Sequence, residues 1–200
     1  MKDTKSFILE TSFKLFLQKS FKEVTMKEIV EETGLSKGAF YHYFTSKEEL
    51  FKEIIDVYYM NFFSIDYTQF NQENLYAFYT EYFNYVEHGF QELLVSFGGD
   101  KKGNAVNFFL IIFDAFKLYP GFRELTMKMT EKELQSWTKV IKTAREKGEI
   151  KSSMTDEQIA GIFTNTNDGI SLHAIMMGRV DSLVKEIRSI FDAFYNDIKA

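Results

Sequence analysis

The chain has 200 residues, of which 45% are hydrophobic and 17% aromatic, with a single proline, so it can bury a sizeable core and is not a disordered protein. It has no cysteine, which excludes disulfides, thiolate metal sites and cysteine nucleophiles. The net charge of −5 arises entirely after residue 50, because the first fifty residues contain eight lysines and eight acidic residues.

Apolar spacing together with helix start and stop signals predicts an all-α protein of about nine helices. The predicted ranges are 3–19, 26–33, 37–43, 47–63, 72–97, 102–117, 122–147, 156–177 and 182–198.

The longest apolar run, from Ala105 to Phe116, contains Asn107 and Asp114 and is shorter than the roughly 20 residues that a membrane span needs. It predicts a buried core helix and no association with a membrane. The N-terminal residues MKDTK open an amphipathic helix and precede no signal-peptide core, so we expect a cytoplasmic protein.

Residues 25–50 predict a helix-turn-helix. Two apparent capping boxes, each a Ser or Thr followed three residues later by Glu, mark helix starts after Thr25 and Ser46. Gly34 suits the left-handed backbone at a helix end, and Ser36 can cap a new helix only a few residues later. The resulting turn of about three or four residues is typical of motifs that read DNA.

The second helix of this motif has the composition of a DNA-reading helix. It contains Gly38 and Ala39, small residues that let a backbone approach another surface closely. No acidic residue lies between Leu35 and Thr45, so positive charge is concentrated where a phosphate would lie. A compact three-helix corner inside a larger helical protein remains the alternative.

Side-chain spacing separates a core face from an outer face in this helix. Phe40 and Phe44 lie four residues apart and can both point inward. That arrangement leaves Lys37, Tyr41 and His42 facing outward.

The run GLSKGAFYHYFTSKEELF, residues 34–51, closely resembles the signature of the TetR/AcrR family of bacterial one-component transcriptional regulators. Ile8, Leu9, Phe16 and Ile29 also fall where that family places apolar residues. The resemblance implies an all-α homodimer. It implies a helix-turn-helix DNA-binding domain at residues 1–46 and a helical domain at 47–200 that binds a small effector and dimerises.

The resemblance also implies contacts between Thr25, Tyr41 and Lys47 and the DNA backbone. These roles suit the chemistry, because Thr25 lies at a helix N-terminus, where phosphate binds readily, and Tyr41 offers a hydroxyl donor.

Residues near the base edges, by the same resemblance, are Lys37, Ala39 and His42, with Gly38 allowing close approach. Lys37 can donate to guanine, and Ala39 offers only a methyl contact. His42 can donate to DNA or can be a solvated surface histidine, and both readings stay open. The helix cap Ser36 completes the predicted DNA-binding set.

Departures from the family pattern occur at Ser20 and at Ser12, Val30 and Thr33, the last three at positions that are often alanine. Ser20 stands where a glycine commonly ends the first helix. The reading helix contains no arginine, so specificity must depend on lysine, histidine, methyl contacts and DNA shape.

The last two helices are the predicted homodimer interface. The final helix carries a continuous apolar stripe that includes Leu183, Ile187 and Phe191, and the helix before it mixes apolar with small residues. An intramolecular core is the alternative reading of these stripes. The resemblance favours dimerisation, and a reader of a two-fold operator needs a dimer to space its half-sites.

The aromatic middle helices predict a site for an apolar or aromatic effector. The predicted effector-binding residues are Tyr82, Asn107, Phe109, Asp114 and Trp137. Aromatic residues at helical spacing also form ordinary cores, and the two polar residues can instead mark a solvent edge.

Together these observations predict a ligand-responsive regulator, a repressor that binds a near-palindromic double-stranded DNA operator as a homodimer and is released by a small molecule. The three histidines, His42, His88 and His173, are scattered and form no metal-binding spacing, so we expect no enzyme, no metal and no cofactor. The alternative is a helical effector-binding or scaffold protein that has lost DNA binding. Retention of Lys37, Tyr41 and Lys47 favours the regulator.

Overall fold

The computed structural model describes residues 3–60, 64–97 and 101–200, and within these ranges it has the predicted all-α architecture of nine α-helices. The helices are α1 Thr4–Glu23, α2 Met26–Thr33, α3 Lys37–Tyr41, α4 Lys47–Ile54, α5 Leu75–Phe97, α6 Lys101–Leu118, α7 Phe122–Glu146, α8 Asp156–Met176 and α9 Leu183–Ile198. A π-helical turn, Ile55–Tyr59, continues α4, and short 3₁₀ turns cover Tyr67–Gln69 and Val180–Ser182. The end predicted for the fourth helix, residues 61–63, lies outside the described residues.

No single helix in the described ranges is long and apolar enough to cross a membrane. One bent pair of helices, 104–118 with 122–146, has that length and composition only when the two helices are counted together.

The chain divides into two compact units. The first contains Met1–Ser64 and Phe97–Leu125, and the second contains Ile65–Ser96 and Thr126–Ala200. The functional boundary at residue 46 stays a prediction.

In the first unit, α1 packs against α2, α4 and α6. Phe16 and Phe51, both fully buried, meet edge to face with ring centroids 6.1 Å apart. The Asn107 amide of α6 donates to the Leu17 carbonyl at 2.6 Å, which fixes α6 against α1. The motif predicted to bind DNA therefore shares its core with a further helix, α6.

The end of α1 carries a strained residue. Ser20 has φ 70° and ψ 156°, a conformation that is essentially confined to glycine, and it interrupts the helical backbone at the point where the sequence predicts the helix to end. This geometry explains why a glycine is common at that position. The Ser20 hydroxyl donates to Glu23 at 3.0 Å, an exposed contact that offsets little of the strain.

Replacing Ser20 with glycine is expected to stabilise the protein by about 1 kcal/mol, because relief of roughly 1–3 kcal/mol of strain exceeds the entropic cost of glycine. Thermal unfolding should show a midpoint about 2–4 °C higher. Ser20→Ala is the matched control, since it removes the hydroxyl and keeps the Cβ atom. A Ser20→Gly midpoint at or below that of the parent would contradict the assignment of strain.

Helix caps explain where the structure departs from the predicted boundaries. Thr155 and Gln158 form a complete capping box at the start of α8. The box predicted at Thr25 is incomplete, because the Glu28 carboxylate pairs with Lys19 instead of reaching back to the cap. The Asn74 side chain accepts the amide of Ala77 at 2.7 Å, so α5 begins at residue 75 and not at 72.

The second predicted box, at Ser46, is also altered. The Ser46 hydroxyl accepts the amide of Glu49 at 3.1 Å as expected, but the Glu49 carboxylate accepts the amide and hydroxyl of Thr45, each at 2.8 Å. These hydrogen bonds lower the pKa of Glu49. The helix therefore begins where the sequence predicts. The Glu49 carboxylate binds the amide of Thr45 and not that of the cap residue Ser46.

The core of the second unit is built from aromatic rings of α5, α7, α8 and α9. Trp137 stacks on Phe163 at 5.0 Å, and Phe191 meets Phe163 edge to face at 4.8 Å. The predicted apolar stripe of α9 is largely buried inside this unit, through residues that include Leu183 and Ile187. Most of that stripe therefore forms intramolecular core.

Candidate nucleic-acid interface

The turn between α2 and α3 has three residues, as the sequence predicts. Gly34 adopts the left-handed conformation, with φ 65° and ψ 8°, and ends α2 through a bond from its amide to the Glu31 carbonyl at 3.2 Å. The Ser36 hydroxyl then accepts the Ala39 amide at 3.3 Å and caps α3. The left-handed glycine and the serine cap together fix the angle at which α3 leaves α2.

Helix α3 is held by one buried side chain. Phe40 is the buried residue of this five-residue helix, and Phe44, just beyond it, is buried as well. The last turn tightens, because the Tyr43 amide donates to the Phe40 carbonyl three residues back at 2.9 Å. This tightening ends α3 at residue 41, two residues earlier than predicted.

The outer face of α3 consists of the residues predicted to contact DNA. Lys37, Gly38, Ala39, Tyr41 and His42 are all exposed. A Cβ atom built on Gly38 would meet no atom within 4 Å, so the fold itself does not require glycine there. The surface around this glycine is open to a flat or grooved partner.

Thr25 is exposed at the N-terminus of α2. Its hydroxyl oxygen accepts the Glu28 amide at 3.2 Å, and Lys19 and Glu28 form an ion pair at 2.5 Å beside it. This contact raises the pKa of Lys19 and lowers that of Glu28. The Thr25 hydroxyl keeps its own proton for donation, as a phosphate contact would require.

The structure gives Lys47 a role that its sequence position did not indicate. Its ammonium donates to the carbonyls of Phe21 and Val24 at 2.9 and 2.8 Å and lies 4.3 Å from the centroid of the Phe21 ring. It therefore fixes the start of α4 against the chain that links α1 to α2. Two of its three donor positions are occupied in this way, so Lys47 positions the motif even without DNA.

The residues predicted to bind an effector fall into separate parts of the molecule. Tyr82 and Trp137 belong to the second unit, where both are buried and their rings meet edge to face at 5.5 Å. Asn107, Phe109 and Asp114 belong to α6 of the first unit. Asn107 has a structural partner, the Leu17 carbonyl, which favours a packing role.

Two carboxylates of the second unit were not predicted as site residues. Glu133 lies one turn before Trp137 on α7, and Asp168 lies on α8. Burial, followed by the charge of Asp168, raises the pKa of Glu133 to about 7, and burial also raises the pKa of Asp168. The available sequence signal was the four-residue spacing of Glu133 and Trp137, which puts a carboxylate on the inner face of an amphipathic helix.

In the described part of the chain, no group of three or more His, Cys, Asp or Glu side chains is placed to hold a metal ion.

A family model described as "Bacterial regulatory proteins, tetR family" matches residues 8–54, the segment from α1 to the end of α4. Over this segment, the chain is similar to the tetR family. The predicted resemblance is confirmed over these residues.

Curated relatives match a segment of similar length. An uncharacterized HTH-type transcriptional regulator of Bacillus subtilis (strain 168), YuxN, is 46% identical over 59 residues, which are 30% of this chain and 20% of that protein. A second from the same strain, YfiR, is 49% identical over 49 residues, 24% of each protein. The match spans only about a fifth to a quarter of the length of these relatives.

Solved structures match the whole chain at low identity. The reduced form of E. coli NemR has a TM-score of 0.61 and 21% identity and covers 99% of this chain, with 98% of that chain covered. The ketosteroid transcriptional regulator KstR2 of Mycobacterium tuberculosis has a TM-score of 0.66 and 14% identity. The match covers 100% of this chain and 97% of that chain. At these identities the likeness establishes the fold alone, including its C-terminal helices.

Proposed function

We propose that this protein is a ligand-responsive transcriptional repressor that binds a near-palindromic DNA operator as a homodimer. The observation that carries the proposal is the exposed face of α3, where a lysine, a glycine, an alanine, a tyrosine and a histidine surround one buried anchor, Phe40. A short helix projected by a three-residue turn fits the major groove, and it carries no carboxylate to repel phosphate.

In this proposal the exposed residues have two kinds of role. Thr25 and Tyr41 contact phosphates and set the position of the motif on the duplex, whereas Lys37, Ala39 and His42 face base edges. Ser36 caps α3, and Lys47 acts on DNA through the position of α4 and through its remaining N–H group.

Dimerisation through α8 and α9 follows from what their outer faces leave exposed. Large apolar side chains with 37–70% exposure remain on these helices after the unit's own core is formed: Ile162, Leu172, Met176 and Ile190. Such a face is a reasonable surface for a second copy, because exposed apolar groups of this size mark association sites. The two α3 helices of the dimer would then read two half-sites.

The effector, an apolar or aromatic small molecule bound in the C-terminal domain, releases the repressor from DNA. It acts by stabilising a state in which the two α3 helices no longer match successive major grooves.

Selection of bound duplexes from a random DNA pool tests the proposal. The purified parent protein is compared with Lys37→Ala/Tyr41→Ala, which leaves the structural contacts of Lys47 intact. Enrichment of an inverted repeat by the parent alone supports a dimeric sequence reader. Absence of enrichment at low salt by a folded dimer favours the alternative, a helical scaffold or effector-binding protein that has lost DNA binding.

A substitution at Gly38 tests the affinity for DNA separately from the stability of the fold. Gly38→Ala is expected to keep or raise stability, by up to about 1 kcal/mol, because alanine favours the helix and its Cβ atom meets no neighbour in the protein. Affinity for the selected duplex should fall at least about tenfold, a loss of roughly 1.4 kcal/mol, because the new methyl group stands where DNA approaches. Thermal unfolding and a DNA titration measure the two effects, with the exposed Glu31→Ala as control. Unchanged affinity would remove Gly38 from the interface.

A further inference from the structure

Helix α4, which follows the helix-turn-helix, ends in an irregular turn. It continues into the π-helical turn Ile55–Tyr59, where the Met60 amide donates to the Ile55 carbonyl five residues earlier in the chain. Such a turn interrupts the regular hydrogen bonds of an α-helix and is frequent at functional sites. Side-chain contacts of this turn therefore help to fix where the end of α4 lies.

Tyr119 forms one of these contacts from the corner between α6 and α7. Its hydroxyl donates to the Asp56 carboxylate at an oxygen–oxygen distance of 2.7 Å, and the Lys52 ammonium lies 5.1 Å from the centroid of its ring. Lys52 and Asp56 are four residues apart and so lie on one face of the helix. The hydrogen bond to Asp56 raises the pKa of Tyr119, so the phenol keeps its proton for donation. Two charged side chains thus hold one tyrosine by its hydroxyl and by its ring.

The corner holds Tyr119 in place. The Tyr119 carbonyl accepts the amide of Phe122 at 3.1 Å, and Gly121 between them has a left-handed φ of 86°. The buried Phe122 ring lies 5.9 Å from the Tyr119 ring. Phe122 is also the first residue of α7, whose residues from Thr126 onward belong to the second unit. Tyr119 therefore joins α4 to a backbone that is itself fixed.

A second tyrosine bond runs in the opposite direction. The Tyr59 hydroxyl of the π-helical turn donates to the Phe108 carbonyl of α6 at 2.9 Å, and the two rings stack with centroids 4.5 Å apart. Both side chains are buried. The neighbouring Asn107 binds the Leu17 carbonyl of α1. Helix α6 and its corner therefore hold the end of α4 at two points and α1 at a third.

The start of α4 connects this arrangement to the helix-turn-helix. Lys47 donates to the carbonyls of Phe21 and Val24, and Val24 directly precedes Thr25 at the N-terminus of α2. Residues 47–60 form one unbroken helical segment, so a shift at its end displaces Lys47 as well. The position of α2 thus depends on what holds the end of α4.

We propose that Tyr119 is a positioning residue for DNA binding, which fixes the orientation of the helix-turn-helix by holding Asp56 at the end of α4. The inference rests on the proposed function, because it names a residue outside the predicted DNA-binding domain on which affinity for the operator depends. Tyr119 lies 63 residues from Asp56 in the chain. Its role is to hold α4 and not to contact DNA.

Titration of the selected duplex with Tyr119→Phe tests the proposal, because this variant loses the hydroxyl and keeps the ring. Affinity is expected to fall by about threefold to tenfold, the order expected for one exposed hydrogen bond. Asp56→Ala should have a similar effect, whereas Asp56→Asn, whose amide oxygen can still accept the hydroxyl, should bind nearly as tightly as the parent. Tyr85→Phe removes an exposed hydroxyl from the second unit and is the control.

The preference for half-site spacing distinguishes positioning from a loss of folded protein. The parent should discriminate strongly against a duplex with one base pair inserted at its centre, and Tyr119→Phe should discriminate less, because a loosely held motif tolerates a changed spacing. Partial unfolding would instead weaken both duplexes by the same factor. The thermal midpoint should fall by no more than about 2–4 °C, so the variant stays folded during the titration.

Amide hydrogen exchange of the free protein tests the same contact without DNA. Residues 52–60 should exchange faster in Tyr119→Phe and in Asp56→Ala than in the parent. The double variant should exchange no faster than either single variant, because both substitutions remove one bond.

Three outcomes overturn the inference: parental affinity in both Tyr119→Phe and Asp56→Ala, a loss of affinity with an unchanged preference for spacing, or an Asp56→Asn variant as weak as Asp56→Ala. The failure of the proposed function has a different signature. A parent that selects no duplex refutes the repressor proposal, whereas unchanged exchange at residues 52–60 in the variants refutes the hold of Tyr119 on α4.

Discussion

Replacing Phe40 with alanine is expected to cost about 3–5 kcal/mol of the free energy of unfolding and to abolish DNA binding. Phe40 is fully buried and is the buried residue of the five-residue α3, so removal of its ring leaves the helix without an anchor. A helix this short does not hold its conformation by propensity alone. A loss of this size is a large fraction of the roughly 5–15 kcal/mol that stabilises a typical protein.

Tyr41→Ala is the matched control for this prediction. Tyr41 is adjacent in sequence and of similar size but is 43% exposed, so its removal should change stability by less than about 1 kcal/mol while still weakening DNA binding. Chemical unfolding of both variants, followed by helical circular dichroism, measures the difference. Similar losses of stability for the two variants would contradict the separation of the core and outer faces of α3.

The second large effect is expected at Lys37. Lys37→Ala should lower affinity for the best duplex by about 1–3 kcal/mol and relax the preference for particular base pairs, because its ammonium is proposed to donate to a base edge. Tyr41→Phe should instead weaken all duplexes by a similar factor, since a hydroxyl donated to phosphate carries no sequence information.

Titrations against the selected duplex and single-base variants of it, at two salt concentrations, distinguish these roles. Loss of the Lys37 charge should lower the number of counterions released on DNA binding by about one, as measured by the dependence of affinity on salt. Loss of the neutral Tyr41 hydroxyl should leave that number unchanged. Equal losses on every duplex for both variants would refute the division between base reading and backbone positioning.

Short-range signals determined the DNA-binding motif without reference to the fold. Gly34 at a helix end, Ser36 as a cap and the spacing of Phe40 and Phe44 predict a turn length and a buried face that the structure confirms. These features involve residues within a few positions of one another, where backbone sterics and side-chain capping decide the outcome. The same local chemistry explains the strain at Ser20, which takes a conformation suited to glycine.

The sequence predicted side-chain contacts less well where a residue distant in the chain binds the same group. The capping box at Thr25 is incomplete because Lys19, from the preceding helix, takes the Glu28 carboxylate. Lys47 stays predicted as a DNA contact, and the sequence did not indicate that its ammonium also binds two carbonyls more than twenty residues away in the chain. Each outcome depends on which side chain lies nearest in space.

The sequence by itself determined the all-α class, the helix-turn-helix and the resemblance to the tetR family, because helix periodicity, caps and a characteristic motif are local properties. Only the tertiary structure decided that Asn107 packs on α1 and that Tyr82, Trp137 and Phe163 meet in one core. The physical reason is that such contacts arise only after separate helices pack. No spacing along a single helix brings together residues from three helices.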